Sequence, residues 1–309
     1  VIQASASIVD ITSTSRTVAT DAANFRSDAG AGVTTHGLTV GLGSGAVGLT
    51  NRSLTTKVAE GTGLNQLLHK ATLISAPTTT GDEARLMIDR QYENGSGATV
   101  AITEVGWECL TQTWSFLLAR ELNTQNILNG NTATLTLRLY TSTVGLIGLL
   151  RVLYGLAAND GALSHTFTDG TSNNGAPNAT NLALDGAAEG TVLGRDAKGM
   201  SFGTGGGVFS PTTSALTWID SGVTSARLNY LQNFFGSITG NNQFTHRRAV
   251  SNGSGGAVVI AEVGENIGFY STTLRRVLGS RILATAMAPS GTLSVPDLGA
   301  GVLQMTWAI

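Results

Sequence analysis

Asn94-Gly-Ser-Gly-Ala-Thr-Val-Ala-Ile-Thr-Glu-Val-Gly106 returns 158 residues later as Asn252-Gly-Ser-Gly-Gly-Ala-Val-Val-Ile-Ala-Glu-Val-Gly264, with 9 of 13 positions identical. A repeat at this spacing is read before any local feature, because it divides the chain into related units. Each copy opens on a turn signal, carried by Asn94, Gly95 and Gly97 in the first and by Asn252, Gly253 and Gly255 in the second. Glycine reaches the positive φ such a turn needs, and the asparagine side chain bonds its own backbone. Each copy then runs into a β-branched alternation that predicts a strand. Alternate residues of a strand share a face, so Val100, Ile102 and Glu104 are expected on one side, as are Val258, Ile260 and Glu262.

The likeness extends outward. Gly37-Leu-Thr-Val-Gly-Leu-Gly-Ser-Gly45 aligns with Gly199-Met-Ser-Phe-Gly-Thr-Gly-Gly-Gly207, and Leu54 with Leu216. Arg90 aligns with Arg248, and Leu117-Leu-Ala-Arg120 with Leu278-Gly-Ser-Arg281. Each unit closes on a hydrophobic strand pattern, at 133–140 and 302–309. Short strands separated by Gly, Asn, Ser and Thr predict an all-β protein of two tandem, related antiparallel β-sandwich domains, jelly-roll-like, at 37–140 and 199–309. Residues 1–36 read as an extended N-terminal arm, in which Ile2, Ile8 and Ile11 would meet a neighbouring subunit by strand addition or else form the first strand of the adjacent domain. The connector 141–198 is expected to be partly helical. Its apolar run suits a short buried helix through Leu146, Leu149, Leu150 and Leu153, with a second short helix around Leu182–Ala188.

Composition limits the function. Charged residues make up 12% of the 309 residues, against roughly 25% in ordinary globular domains. A freely soluble monomer normally carries more mixed charge, so much of the surface is expected to lie against other copies of the chain. A net charge of −2 with scattered arginines argues against nucleic acid as a partner. The single Cys109 leaves no intrachain disulfide framework and no multi-thiolate metal site. No apolar stretch reaches the roughly 18–20 residues of a membrane span.

Candidate chemistry is sparse. Glu104 and Glu262 are the carboxylates to test for acid–base work. Each stands alone in its own repeat, so pairing is the preferred reading: Glu104 with Arg90 or Arg120, and Glu262 with Arg248 or Arg281. Gly43-Ser-Gly-Ala-Val-Gly48 has the spacing of a dinucleotide loop but is followed by a poor helix start, and the second copy breaks the pattern. A hairpin or bulge explains both glycine clusters. His36, His69, His165 and His246 lack metal-ligand neighbours at helical spacing. Asp160, Asp169, Asn173 and Asn174 carry oxygens suited to Ca²⁺, but their spacing is not that of an EF-hand. Asn51, Asn94, Asn178 and Asn252 head three-residue glycosylation patterns, although Asn94 and Asn252 are better explained as turn residues. Trp107, Trp114, Phe116, Phe234, Phe235, Phe269 and Tyr270 are read as core, with a sugar-stacking platform as the other reading. No catalytic residue, cofactor or metal is expected.

The G-x-G-x-G turn, aliphatic strand, charged strand ending in Arg, Asn-x-Ser-Gly turn, Ile-x-Glu-Val/Ile-Gly strand, Leu-x-Arg strand and hydrophobic final strand together resemble a duplicated β-domain of tailed-phage and prophage virion structural proteins. The resemblance covers residues 37–140 and 199–309, and the second copy departs more, at Glu265-Asn-Ile. It implies a structural component of a virion or extracellular particle and carries over no catalytic residue. The expected function is self-assembly through subunit–subunit β contacts into a capsid, tail, decoration layer or filament, with its own copies and other virion proteins as partners. A glycan-binding module of a phage or extracellular particle is the alternative.

Overall fold

The computed structural model describes residues 7–17, 26–48, 51–111, 113–141, 145–158, 164–166, 172–174, 199–220, 227–239, 243–270, 274–283 and 293–308. The first half contains β1 (Ser7–Val9), β2 (Ser15–Thr17), β3 (Gly37–Gly41), β4 (Leu68–Thr80), β5 (Glu83–Glu93), β6 (Val100–Thr111), β7 (Trp114–Ile127) and β8 (Thr132–Thr141). Helix α1 (Ile147–Ala158) follows, then β9 (Ser164–Thr166) and β10 (Ser172–Asn174). The second half has β11 (Gly199–Gly203), β12 (Asn229–Thr239), β13 (Gln243–Ser251), β14 (Val258–Ile260), β15 (Glu262–Tyr270), β16 (Leu274–Leu283), β17 (Leu293–Val295) and β18 (Ala300–Ala308). Among the described residues the protein is all-β apart from α1, and the paired strands are antiparallel.

Each half uses the same pairing. Three-stranded sheets of order β3-β6-β7 and β4-β5-β8 recur as β11-β15-β16 and β12-β13-β18. Hairpins β4–β5 and β6–β7 belong to different sheets, and β8 returns to β5. A jelly roll would instead carry two four-stranded sheets. The apolar clusters draw on both sheets of a half: Val40, Val100 and Ile102 pack with Tyr92, and Phe202, Ile260 and Val263 pack with Tyr230 and Val250. Each aliphatic buried this way contributes roughly 1.5–3 kcal/mol.

One local feature decides where the repeated glutamates go. The β6–β7 register shifts between Ile102 and Glu104. The extra residue of that β-bulge lies on β7, between Leu122 and Gln125, and the alternation of β6 breaks at the same place. Val100, Ile102 and Val105 all face the core, and Glu104 turns to the outer face. The second half behaves alike, with Ile260 and Val263 both in the core and Ala261 between β14 and β15. The expectation of two aliphatics and a carboxylate on one face is therefore corrected in both copies.

The N-terminal region also differs from a free arm. Strand β1 pairs with β2 in a local hairpin, so Ile8 stands opposite Arg16. Asp10 closes the turn, accepting from Thr12 N (2.9 Å), Thr14 N (2.9 Å) and Arg16 Nε (2.8 Å). The Thr12 hydroxyl, which donates to Asp10 Oδ1 at 2.6 Å, and these bonds hold its carboxyl well below the usual carboxylate range against the effect of burial. Ile11 N donates to Ser115 O on β7 at 2.9 Å, and Ile2 lies outside the described residues. Residues 26–36 belong to the first half: Arg26 bridges to Leu110, Thr72 N donates to Ala29 O, and Gly32 N donates to His69 O.

In the connector, α1 fills the place expected of a short helix. Its Leu150 packs on Ala84 and Leu86 of the first half, while Leu146 just before it packs on Leu216 and Leu278 of the second. The region around Leu182–Ala188 lies outside the described residues. No helix of the described residues is long and apolar enough to cross a membrane.

Candidate functional site

Turned outward where the alternation of β6 breaks, Glu104 is nonetheless fully buried, because the loop after β3 folds over it. Its Oε1 accepts from Gly43 N (3.1 Å) and Thr56 N (3.0 Å), and its Oε2 from Arg120 Nε (2.8 Å). Burial alone would raise this carboxyl, but the Thr56 N–H, the Arg120 guanidinium and the Gly43 N–H outweigh it and hold it below the ordinary value. Arg120 extends the clamp to the loop itself, donating to Gly45 O (2.9 Å), Ala46 O (3.0 Å) and Asn51 Oδ1 (3.1 Å).

The second half repeats this arrangement. Glu262 accepts from Thr217 N and from Arg281 Nε (2.7 Å), and Arg281 donates to Gly207 O (3.3 Å) and Val208 O (3.1 Å). The glycines of both loops have a steric role here. A Cβ at Gly41 or Gly43 would lie 2.5 or 2.6 Å from Glu104 Oε1, and one at Gly203 or Gly205 2.5 or 2.6 Å from Glu262 Oε1. The glycine clusters thus wrap a carboxylate of the chain itself. Gly106 and Gly264, which end the repeated stretch, leave room for Leu54 with Leu117 and for Leu216 with Leu278, since a Cβ there would approach each leucine to about 3 Å.

Arg90 and Arg248 stand apart from the glutamates. Arg90 is buried and donates to five main-chain carbonyls: Lys70 (2.9 Å), Leu38 (2.9 Å), His36 (3.3 Å), Gly30 (3.3 Å) and Val33. It anchors residues 30–38 to the sheet, a role with no signal in local sequence pattern. Its guanidinium carbon lies 5.9 Å from the centre of the Tyr92 ring, and that of Arg248 lies 5.1 Å from the Tyr230 ring. Of the two arginines open to each glutamate, the structure selects Arg120 and Arg281. Each stands on the strand hydrogen-bonded beside its glutamate, within reach of the outer face.

Asn94 and Asn252 are buried at the heads of their turns. Each amide donates twice, Asn94 to Ala98 O and Ile127 O, and Asn252 to Gly256 O and Val295 O. Gly97 and Gly255 have φ of 80° and 82°, the left-handed conformation the turn requires. Gly95 and Gly253 fill the second position of the same turns.

Two further polar pairs distinguish the halves, and both were missed in the sequence. Lys57 lies against Glu108 on the outer face of β6, and burial raises that carboxyl despite the lysine. Register puts Asn266 at the equivalent place, donating to Ser201 Oγ (2.8 Å). Inside the second half, His246 Nδ1 and Glu265 Oε1 lie 2.6 Å apart, and burial raises the Glu265 carboxyl. His36 and His69 are buried, and His165 is on β9. Asn173 and Asn174 lie on β10, while Asp160, Asp169 and Asn178 fall outside the described residues.

Trp107 and Phe116 pack in the first core, with Trp114 against them, so they form no sugar platform. The side chains of Phe234, Phe235, Phe269 and Tyr270 are outside the described set. Burial pushes the Cys109 thiol up to about 12. Among the described residues no group of three His, Cys, Asp or Glu side chains is placed to hold a metal ion. What the site does chemically is hold loops: fixed carboxylates and guanidiniums pin main chain. Comparison with protein-family models, curated proteins and solved structures returns no match.

Proposed function

We propose that this chain is a structural protein whose two halves are related β-sandwich domains and which assembles with copies of itself. The product is a virion layer (capsid, tail or decoration) or an extracellular filament. One observation carries the reading: large apolar side chains stay exposed on strands that end their sheets. Leu73 on β4 is 67% exposed and Val302 on β18 62%, while Leu118 and Leu122 on β7 and Tyr140 on β8 are also open to solvent. A sheet edge offers unpaired N–H and C=O groups, and proteins that stay monomeric usually guard such edges with charge. Here 12% of residues are charged. The clamped loops and the Arg90 anchor supply rigidity, which limits the ordering cost of each subunit contact.

Sedimentation velocity and negative-stain microscopy of the purified chain across a concentration range test the proposal. Regular oligomers, shells or filaments are expected. Leu73→Lys and Leu122→Lys, which set charge on two of these strands, are expected to reduce assembly without unfolding the monomer. A monodisperse monomer at high concentration would overturn it.

A further inference from the structure

The turns that close the two halves share one hydrogen-bond frame. Asn94 N donates to Asn131 O (2.9 Å) as Asn252 N does to Gly299 O (2.8 Å). Asn131 N donates to Leu128 O (3.0 Å) as Gly299 N does to Pro296 O (2.9 Å). Gly97 N donates to Asn129 Oδ1 and Gly255 N to Asp297 Oδ1, each at 2.9 Å. The frame makes Leu298 the counterpart of Gly130.

Both residues are left-handed, with φ of 78° at Gly130 and 56° at Leu298. Glycine adopts that conformation freely, whereas a leucine Cβ crowds the neighbouring carbonyl. Among the described residues Ser13 and Asn65 are the other non-glycine residues with positive φ, and both are small or polar. Leu298 gains no intrachain burial in return, since it is 87% exposed. A strained backbone carrying an apolar side chain into solvent calls for a role outside the monomer.

We infer that Leu298 is an assembly knob that docks on the matching end of the first half of a second copy of this chain. That end exposes Leu64 (73%) and Leu128 (55%). The loops that present them adjoin, because a Cβ on Gly95 would lie 3.2 Å from Thr62 and because Asn94 is bonded to Asn131. Residues 61–66, 94–98 and 128–131 contain no charged side chain, and Asp297 beside the knob is engaged by Gly255 N. Docking therefore strips water from leucines, and Asp297, held by Gly255 N, is the one charged side chain of the loop 296–299 that carries the knob. An uncharged apolar end favours an apolar partner low in charge, and the exposed Leu298 of a chain with 12% charged residues is of that kind. Knob and socket lie on different halves, so the contact is heterologous and repeats head to tail into a ring or filament.

The inference rests on the self-assembly reading, and the experiment separates the two. Sedimentation velocity and thermal unfolding are measured on the full chain as wild type, Leu298→Gly, Leu298→Met and the double variant Leu64→Ser with Leu128→Ser. Leu298→Gly relieves the backbone, so it is expected to unfold no lower than wild type while self-association weakens by about tenfold or more. Leu298→Met keeps an apolar knob and assembles like the wild type. The double serine variant reproduces the loss seen with glycine. Wild type that assembles together with a Leu298→Gly variant that assembles equally well overturns the knob and leaves self-assembly standing. A wild-type chain that stays monomeric at every concentration overturns both.

Discussion

His246 Nδ1 lies 2.6 Å from Glu265 Oε1, and the two side chains reach each other from the two different sheets of the second half. In the first half the same two places hold Ile88 and Trp107, which pack in one apolar cluster. The chain thus carries, within itself, an exchange of an apolar cross-sheet contact for a polar one. Met200 and Ser280 flank Glu265 on the neighbouring strands, and Arg248 is the charged group nearby that also acts on its carboxyl. Burial raises that carboxyl while His246 and Arg248 oppose the rise.

Breaking this pair on one side is expected to cost more than removing it. His246→Leu leaves Glu265 buried without its partner, a loss of roughly 3–5 kcal/mol. His246→Leu combined with Glu265→Leu restores an apolar contact and should return most of that stability. The single variant should also lose stability as pH rises above 4.5, because a carboxyl raised by burial gives up its proton first in the unfolded chain. Denaturant unfolding of wild type, His246→Leu, Glu265→Leu and the double variant at pH 5 and pH 8 reads all of this. Singles and double equally destabilised would refute the coupling.

Glu104→Gln should destabilise the first half by roughly 3 kcal/mol, since Arg120 then loses its counter-charge in a buried setting. The pH dependence has the opposite sign to that of Glu265. The Glu104 carboxyl is lowered on folding, so its contribution is present above the unfolded value of 4.5 and is lost as pH falls through its folded value. Wild type minus Glu104→Gln, measured by chemical denaturation from pH 7 to pH 3, should therefore shrink toward acid. A difference that is flat with pH would mean that the clamp acts through shape alone.

Much of this was legible in the chain. Asn-Gly-Ser-Gly is a turn chemistry that names its own geometry, and β alternation marked the strands on either side. The choice of Arg120 and Arg281 was already narrowed to two per glutamate. The break in alternation at Ile102–Glu104 was not visible, because a local irregularity of the backbone leaves composition and local propensity unchanged while reversing which side chains share a face. Arg90 was misassigned for a related reason: its five acceptors are main-chain carbonyls, which no residue pattern reports. The His246–Glu265 pair did leave a signal, namely the paired departure from Ile88 and Trp107 once the repeats are aligned.

Gly43→Ala tests whether the glycine cluster exists to fit Glu104. The added methyl would sit 2.4 Å from Thr55 Cβ and 2.6 Å from Glu104 Oε1, so the loop or the carboxylate must move. A loss of about 1–3 kcal/mol is expected, as for other overpacked sites. Combined with Glu104→Ala, which removes one of the two clashes, the glycine substitution should cost less than it does alone, with a remainder left by the Thr55 contact. Additive losses measured by thermal or denaturant unfolding would place the origin of the strain elsewhere.

His69 gives the sharpest acid test. It is buried on β4, its ring meets Tyr92 edge-on with centroids 5.1 Å apart, and neither ring nitrogen has a hydrogen-bond partner among the described residues. Burial, reinforced by the positive charges of Arg90 and Lys57, lowers its pKa to about 4 from 6.5. The unfolded chain therefore takes up a proton on this ring before the folded protein does. Stability is lost as pH falls from about 6.5 and the loss levels off below about 4, with a total of about 2 kcal/mol after allowance for residual solvent. His69→Phe keeps an aromatic ring against Tyr92 and removes the titration, so its unfolding free energy should fall less than that of wild type between pH 7 and pH 4. The two proteins should be most alike at the neutral end, where the histidine carries no charge in either state. Parallel pH profiles would show that the ring reaches water or a partner on protonation, and that the acid sensitivity of the first half arises from another group.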